Sequence, residues 1–223
     1  YNADHLHETV MWLCERFGDE QKPAEGTAEP AEIDAGLPDI SIDQRRSAAD
    51  LSLGFESYTE GDCELDPDEQ CVAAAGDRRI LRFTVETPNL GASDVFLGTP
   101  SADNPHFVYS ECHGHYHFRG YAAYRLLNEA GDEVLVGRKQ AFCLVDFEKY
   151  IDDEAVSAVP RYSCEYQGLQ AGWSDVYLAN LPCQYLDVTD IPDGSYTLEV
   201  VVNPEGELTD LDDSNNEIRI PVA

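Results

Sequence analysis

Positive charge is scarce in this 223-residue sequence: 14 Lys+Arg stand against 44 Asp+Glu, a formal net charge of −30. Only three of the basic residues are lysines, Lys22, Lys139 and Lys149. The carboxylates run through every segment instead of forming one tail. Such a surface repels phosphate backbones and anionic headgroups, which excludes nucleic acid and an anionic membrane as partners. It also repels itself until salt screens it. The pattern therefore points to a high-salt organism, a haloarchaeon, with a merely acidic mesophilic surface as the plainer alternative.

Two further absences narrow the class. No run of 18 apolar residues occurs, so no membrane span is expected. No C-x-x-C pair occurs among the seven cysteines, which removes the signature of zinc ribbons and thioredoxin-type sites. Widely spaced cysteines in a β-rich chain instead fit disulfides made in an oxidising compartment. An odd count leaves one over. The first residue is Tyr1, which fits a removed leader or a trimmed chain, and the expected setting is secreted and extracellular.

What is present suffices for a packed core: 43 % of residues are hydrophobic and 10 % aromatic. Residues 1–17 place Leu6, Val10, Leu13, Cys14 and Phe17 at helical spacing. Residues 18–36 are rich in Gly, Pro, Ala and Glu and read as a linker, so 1–36 is an N-terminal helical and linker extension. From 37 to 223 the chain reads as strands: LRFTV, VYSECHGHYHF, YAAYRLL, EVLVG, QAFCLV, YTLEVVV and EIRIPV. Turn signals separate them at NEAGD, PDG and NPEG. The expected fold is all-β, a β-sandwich core with long loops.

Histidine is rare too, with six in the chain, yet half of them fall in CHGHYH at 112–117. On one strand, His113, His115 and His117 would share a face at about 6.5–7 Å intervals. On a helix only His113 and His117 would. The flanking residues favour a strand, so all three imidazoles are expected to converge on one ion and leave coordination positions open, as a catalytic metal needs. Imidazole suits zinc, copper, iron and nickel alike, so spacing does not choose the metal. The plain alternative is a solvated surface strand.

Further on stand GRKQAFCLVD (137–146) and CEYQGLQAGWSDVYLANLPCQYLDVTDIPDGSYTLEVVVNPEGELTDLDDSNNEI (164–218). With CHGHYH, and in this order, they resemble the catalytic domain of the lysyl oxidase family, over roughly residues 37–222. The resemblance implies copper, held by His113, His115 and His117, and lysine tyrosylquinone, a cofactor built from the enzyme's own Lys139 and Tyr177. It implies oxidation of a primary amine (a small amine, a polyamine or a protein lysine) by dioxygen to an aldehyde, with hydrogen peroxide and ammonia released. Arg138 stands where the family usually has histidine. Joining Lys139 to a quinone ring needs its neutral amine, so the site must depress its pKa, with Arg138 and copper as the candidate nearby cations. Removing a proton from the substrate needs a base within reach. Asp175, two residues before Tyr177 and on its face if that stretch is extended, is the candidate.

The same resemblance implies the pairs Cys63–Cys112, Cys71–Cys183 and Cys143–Cys164; six cysteines allow 15 connectivities, so spacing alone selects none. A further disulfide common in animal members is missing, with Lys149 and Trp173 at its positions. Cys14 is left as a buried free thiol, with an intermolecular disulfide as the alternative. LTDLDDSNNE (208–217) gathers hard oxygen donors but lacks the glycine and final glutamate of an EF-hand loop. The resemblance implies calcium held by Asp210, Asp212, Asn215 and Asn216 with Asp39 and the Ile40 carbonyl; the alternative is a solvated acidic turn. Two rival functions remain: a three-histidine zinc hydrolase or non-haem iron oxygenase, and a non-catalytic secreted metal-binding adhesion module. Neither gives Lys139 and Tyr177 a part.

Overall fold

The computed structural model describes residues 36–137 and 142–223. The predicted helix over 1–17 with Cys14, nearly all of the linker, and the pair Arg138 and Lys139 lie outside the described residues. Among the described residues there is one α-helix, α1 (Gln44–Ala49). The strands are β1 (Ser52–Tyr58), β2 (Gly76–Arg82), β3 (Val85–Pro88), β4 (Val95–Gly98), β5 (Phe107–Ser110), β6 (His115–Phe118) and β7 (Ala122–Leu127). They continue with β8 (Glu133–Val136), β9 (Glu148–Lys149), β10 (Gln167–Leu169), β11 (Trp173–Tyr177), β12 (Tyr185–Asp187), β13 (Tyr196–Val202) and β14 (Glu217–Val222). The fold is all-β, as the strand periodicity predicts.

The largest sheet, in the order β14-β13-β7-β8, is antiparallel and follows period-two burial. Leu198, Val200 and Val202 of β13, Ile218 and Ile220 of β14, and Tyr124 and Leu126 of β7 turn into the core. Glu217, Arg219 and Pro221 alternate outward on β14, where the proline costs no inner ladder bond because β14 is an edge. Across the core lies the sheet β3-β11-β9, and every residue of β3 and β11 is buried. The layers meet through aromatic edges: the rings of Phe83 and Tyr124 stand 4.8 Å apart, those of Tyr121 and Tyr177 5.2 Å. Thr87 of β3 is hydrogen-bonded to the Tyr121 hydroxyl. Asp43 caps α1 by accepting the N–H groups of Arg45 and Arg46, and Arg46 reaches the buried Glu86 at 2.9 Å, which ties the helix to β3.

Three sequence expectations need correction. VYSECHGHYHF is not one strand but a hairpin, β5–β6, with a turn over 111–114. Gly114, at φ +69, supplies the left-handed position that lets the chain reverse, and its N–H donates to the Ser110 carbonyl at 2.8 Å. LRFTV is divided between β2 and β3, because Phe83 and Thr84 leave one sheet for the other. The described part of QAFCLV carries no ladder. The Leu144 N–H donates to the Gln167 side chain at 3.0 Å, and the Phe142 carbonyl accepts from Phe118.

Candidate metal centre

The hairpin gathers the histidines by a route other than a single strand. His115 and His117 alternate on β6 and share a face, while His113 is folded back from the turn to meet them. Nδ1 of His113 lies 3.1 Å from Nε2 of His117, which lies 3.2 Å from Nε2 of His115. The ring centroids are 4.9–5.9 Å apart. Burial, and then the neighbouring His113, hold the His115 imidazole below its ordinary value, which keeps it neutral and fit to ligate. Three imidazole nitrogens turned toward one point suit a borderline cation with open positions. The residues present therefore fit the metal that the sequence implies.

Among the described residues one other trio of His, Cys, Asp or Glu converges as closely, Glu69 with Cys71 and Cys183. Its two sulfurs are joined in a disulfide, so it is no ligand set. The three disulfides are Cys63–Cys112, Cys71–Cys183 and Cys143–Cys164, the pairing implied by the resemblance. Cys112 pins the histidine turn itself. Lys149 and Trp173 pair in register across β9 and β11.

Tyr177 closes β11 in the core, with 4 % of its surface exposed. Its hydroxyl donates to the Cys143 carbonyl at 3.2 Å. The Phe142 ring lies 4.7 Å from the Tyr177 ring and 6.1 Å from the His117 ring, so one phenyl group bridges tyrosine and metal triad. Tyr121 meets the Tyr177 ring edge-on from another side. Burial, and then Asp175, push the Tyr177 phenol well above its ordinary range.

Asp175 sits two positions before Tyr177 on the same extended strand, as expected, with 1 % of its surface exposed. Its carboxylate accepts the N–H of Val145 at 3.3 Å and of Val176 at 2.9 Å. Burial pushes its pKa up to about 8, against the lowering effect of these hydrogen bonds and of Tyr177.

The acidic loop is built onto the first bridge of the fold. Asp210 accepts the Ile40 N–H at 3.0 Å and the Asn216 side-chain amide at 2.7 Å, and Asp39 accepts the Asn215 amide at 2.9 Å. The side-chain oxygens of Asn215 and Asn216 are buried without a hydrogen-bond partner, an arrangement that a hard cation would satisfy. Asp212 caps the short 3-10 turn Asp213–Asn215 by accepting from Ser214.

Sequence reasoning placed Phe142 only inside a motif, and Tyr121 only inside a strand. Their roles come from packing between segments far apart in the chain. Ser110 was likewise placed only inside a strand, and Glu69 was missed altogether; it is one of many carboxylates, and nothing local marks it.

The lysyl oxidase family model matches residues 59–223. Lysyl oxidase homolog 3 of Homo sapiens is 37% identical over 164 residues, covering 68% of this chain and 21% of its own length. Lysyl oxidase homolog 2 of Gallus gallus is 37% identical over 161 residues, covering 67% of this chain and 20% of that protein. Lysyl oxidase homolog 4 of Mus musculus is 35% identical over 234 residues, covering 95% of this chain and 28% of that protein. The chain thus spans less than a third of the length of these relatives. With the histidine hairpin, the buried tyrosine and the disulfide pattern already in place, the family match leads to one conclusion: the chain belongs to the lysyl oxidase family.

Proposed function

We propose that this chain oxidatively deaminates primary amines to aldehydes, releasing hydrogen peroxide and ammonia, with copper on His113, His115 and His117 and a lysine tyrosylquinone made from Lys139 and Tyr177. The observation that carries the proposal is the packing of Phe142 between His117 and Tyr177, three residues after Lys139 in the chain. Copper and the quinone would supply oxidising power toward dioxygen and an electrophilic carbonyl toward the amine.

The chain's own residues do the rest. The turn and β6 would present three imidazole nitrogens to the metal. Phe142, Tyr121 and the Cys143 carbonyl fix the plane and the hydroxyl of the Tyr177 ring, so its position is set before any chemistry begins. Asp175, on the same face of β11, accepts a proton from the substrate once it is ionised, and its burial places that ionisation close to neutral pH. In the same reading Asp39, Ile40, Asp210, Asn215 and Asn216 hold calcium and tie the start of the fold to its last hairpin. Asp212, whose carboxylate also caps its own turn, would join them.

The excess of carboxylates favours cationic amines and a secreted, high-salt setting. Among the described residues no helix is long and apolar enough to cross a membrane. Hydrogen peroxide release from a panel of primary amines, measured after copper loading in air, tests the activity. Release that disappears in Tyr177→Phe supports it, and a wild-type chain that oxidises none of them contradicts it.

A further inference from the structure

Two buried residues outside the proposed ligand set sit directly beneath the histidine turn. Glu69 is 5 % exposed and lies in a loop pinned at both ends, by Cys63 to Cys112 and by Cys71 to Cys183. Its Oε1 accepts the Ser110 hydroxyl at 2.6 Å. The same Ser110 oxygen accepts the backbone N–H of His113 at 3.1 Å, and Ser110 is 3 % exposed.

A serine hydroxyl carries one proton and two acceptor lone pairs. With that proton committed to the Glu69 carboxylate, the oxygen can face His113 only as an acceptor. At 2.6 Å from Oε1 that proton is directed to Glu69, which leaves the oxygen's lone pairs to the His113 N–H. His113 is the member of the triad that needs such a device. His115 and His117 are held by the β5–β6 ladder, opposite Ser110 and Val108, whereas His113 lies in the turn.

Resting on the copper reading above, we infer that Glu69 is a positioning residue: through Ser110 it fixes the backbone of His113 where the imidazole meets the other two. Residues that orient metal ligands in this way typically change metal affinity by about 10–100-fold when removed.

The test is copper(II) affinity by competition with a coloured chelator, together with the electron paramagnetic resonance spectrum of the bound ion. It is run on the wild type, Glu69→Ala, Ser110→Ala, their double variant and Glu69→Gln. Both alanine variants are expected to bind about 10–100-fold more weakly, with a spectrum showing one fewer nitrogen ligand and an unchanged far-ultraviolet circular dichroism spectrum. The double variant should lose no more than the worse single one, because both act through one chain of bonds. Glu69→Gln keeps an acceptor for Ser110 and should retain most of the affinity. Wild-type affinity and spectrum in either alanine variant, additive losses, or a glutamine variant as weak as the alanine one would each overturn the inference. Should Glu69→Ala not fold, Ser110→Ala decides the matter by the same two readouts. A wild type that binds copper no better than a His115→Ala, His117→Ala variant would overturn the metal reading and this inference together.

Discussion

Nδ1 of His113 lies 3.1 Å from Nε2 of His117, although the first residue sits in a turn and the second on the strand that follows. A flat strand would hold these two about 13 Å apart, four residues at roughly 3.3 Å each. The reversal at Gly114 removes that distance, and the Cys63–Cys112 bond holds the reversal in place. The site is thus a property of a cross-linked turn as much as of three side chains.

Removing that cross-link should therefore damage the metal site and the fold together. The Cys63→Ser, Cys112→Ser chain is expected to lose about 2–4 kcal/mol of stability in urea. Its copper affinity should fall as well. Full stability and affinity in this variant would show that the turn holds itself.

Asp175 makes stability depend on pH in a defined direction. Its pKa is about 8 in the folded chain, against about 3.9 when unfolded. Between those values the folded form keeps a proton that the unfolded form has released. The stabilisation is complete below about pH 4 and is lost as pH rises through about 8. Urea midpoints of the wild type should therefore decline across this window, and Asp175→Asn should flatten the decline.

In the proposed function the same group would set the rate. If Asp175 is the base, amine oxidation should rise through pH about 8, and Asp175→Asn should lower turnover by about 10²–10⁴-fold. A variant that turns over at the wild-type rate would move the role to another residue.

In the proposed reading, a change at Phe142 should separate metal binding from cofactor formation. Phe142→Ala leaves the three imidazoles intact but removes the ring between His117 and Tyr177. Copper affinity is expected to stay near the wild-type value while the yield of quinone absorbance drops. Equal yields in the two chains would remove Phe142 from the account.

The buried amide oxygens of Asn215 and Asn216 predict a response to calcium. Adding calcium at about 100 times its dissociation constant should stabilise the chain by about 2.7 kcal/mol. The gain, read as a rise in melting temperature, should vanish in Asp210→Ala and Asn216→Ala. A wild type whose melting temperature ignores both calcium and chelator contradicts the calcium reading.

Strand periodicity located β7, β8, β13 and β14; on β7 and β14 the buried residues alternate with more exposed ones. It missed β1, whose Leu53 and Phe55 share a face that stays exposed, and β11, which is buried throughout and does not alternate. The histidines were legible as a cluster, but the hairpin was not: GHYH reads as strand, and the turn at Gly114 is set by a disulfide that local sequence does not announce. Asp175 and Tyr177 were legible as a pair because the strand they share is extended. The contacts that join Tyr177 to the triad run through Phe142 and join segments far apart in the chain, so only tertiary packing displays them.

The most direct measurement is peptide mapping by tandem mass spectrometry after incubation with copper and air. The account predicts one cross-linked peptide pair joining Lys139 to Tyr177, accompanied by a visible band that reacts with phenylhydrazine. Both signals should be absent from Lys139→Ala and Tyr177→Phe. A copper-loaded, oxygen-exposed wild-type chain that stays colourless, with both residues unmodified, would contradict it.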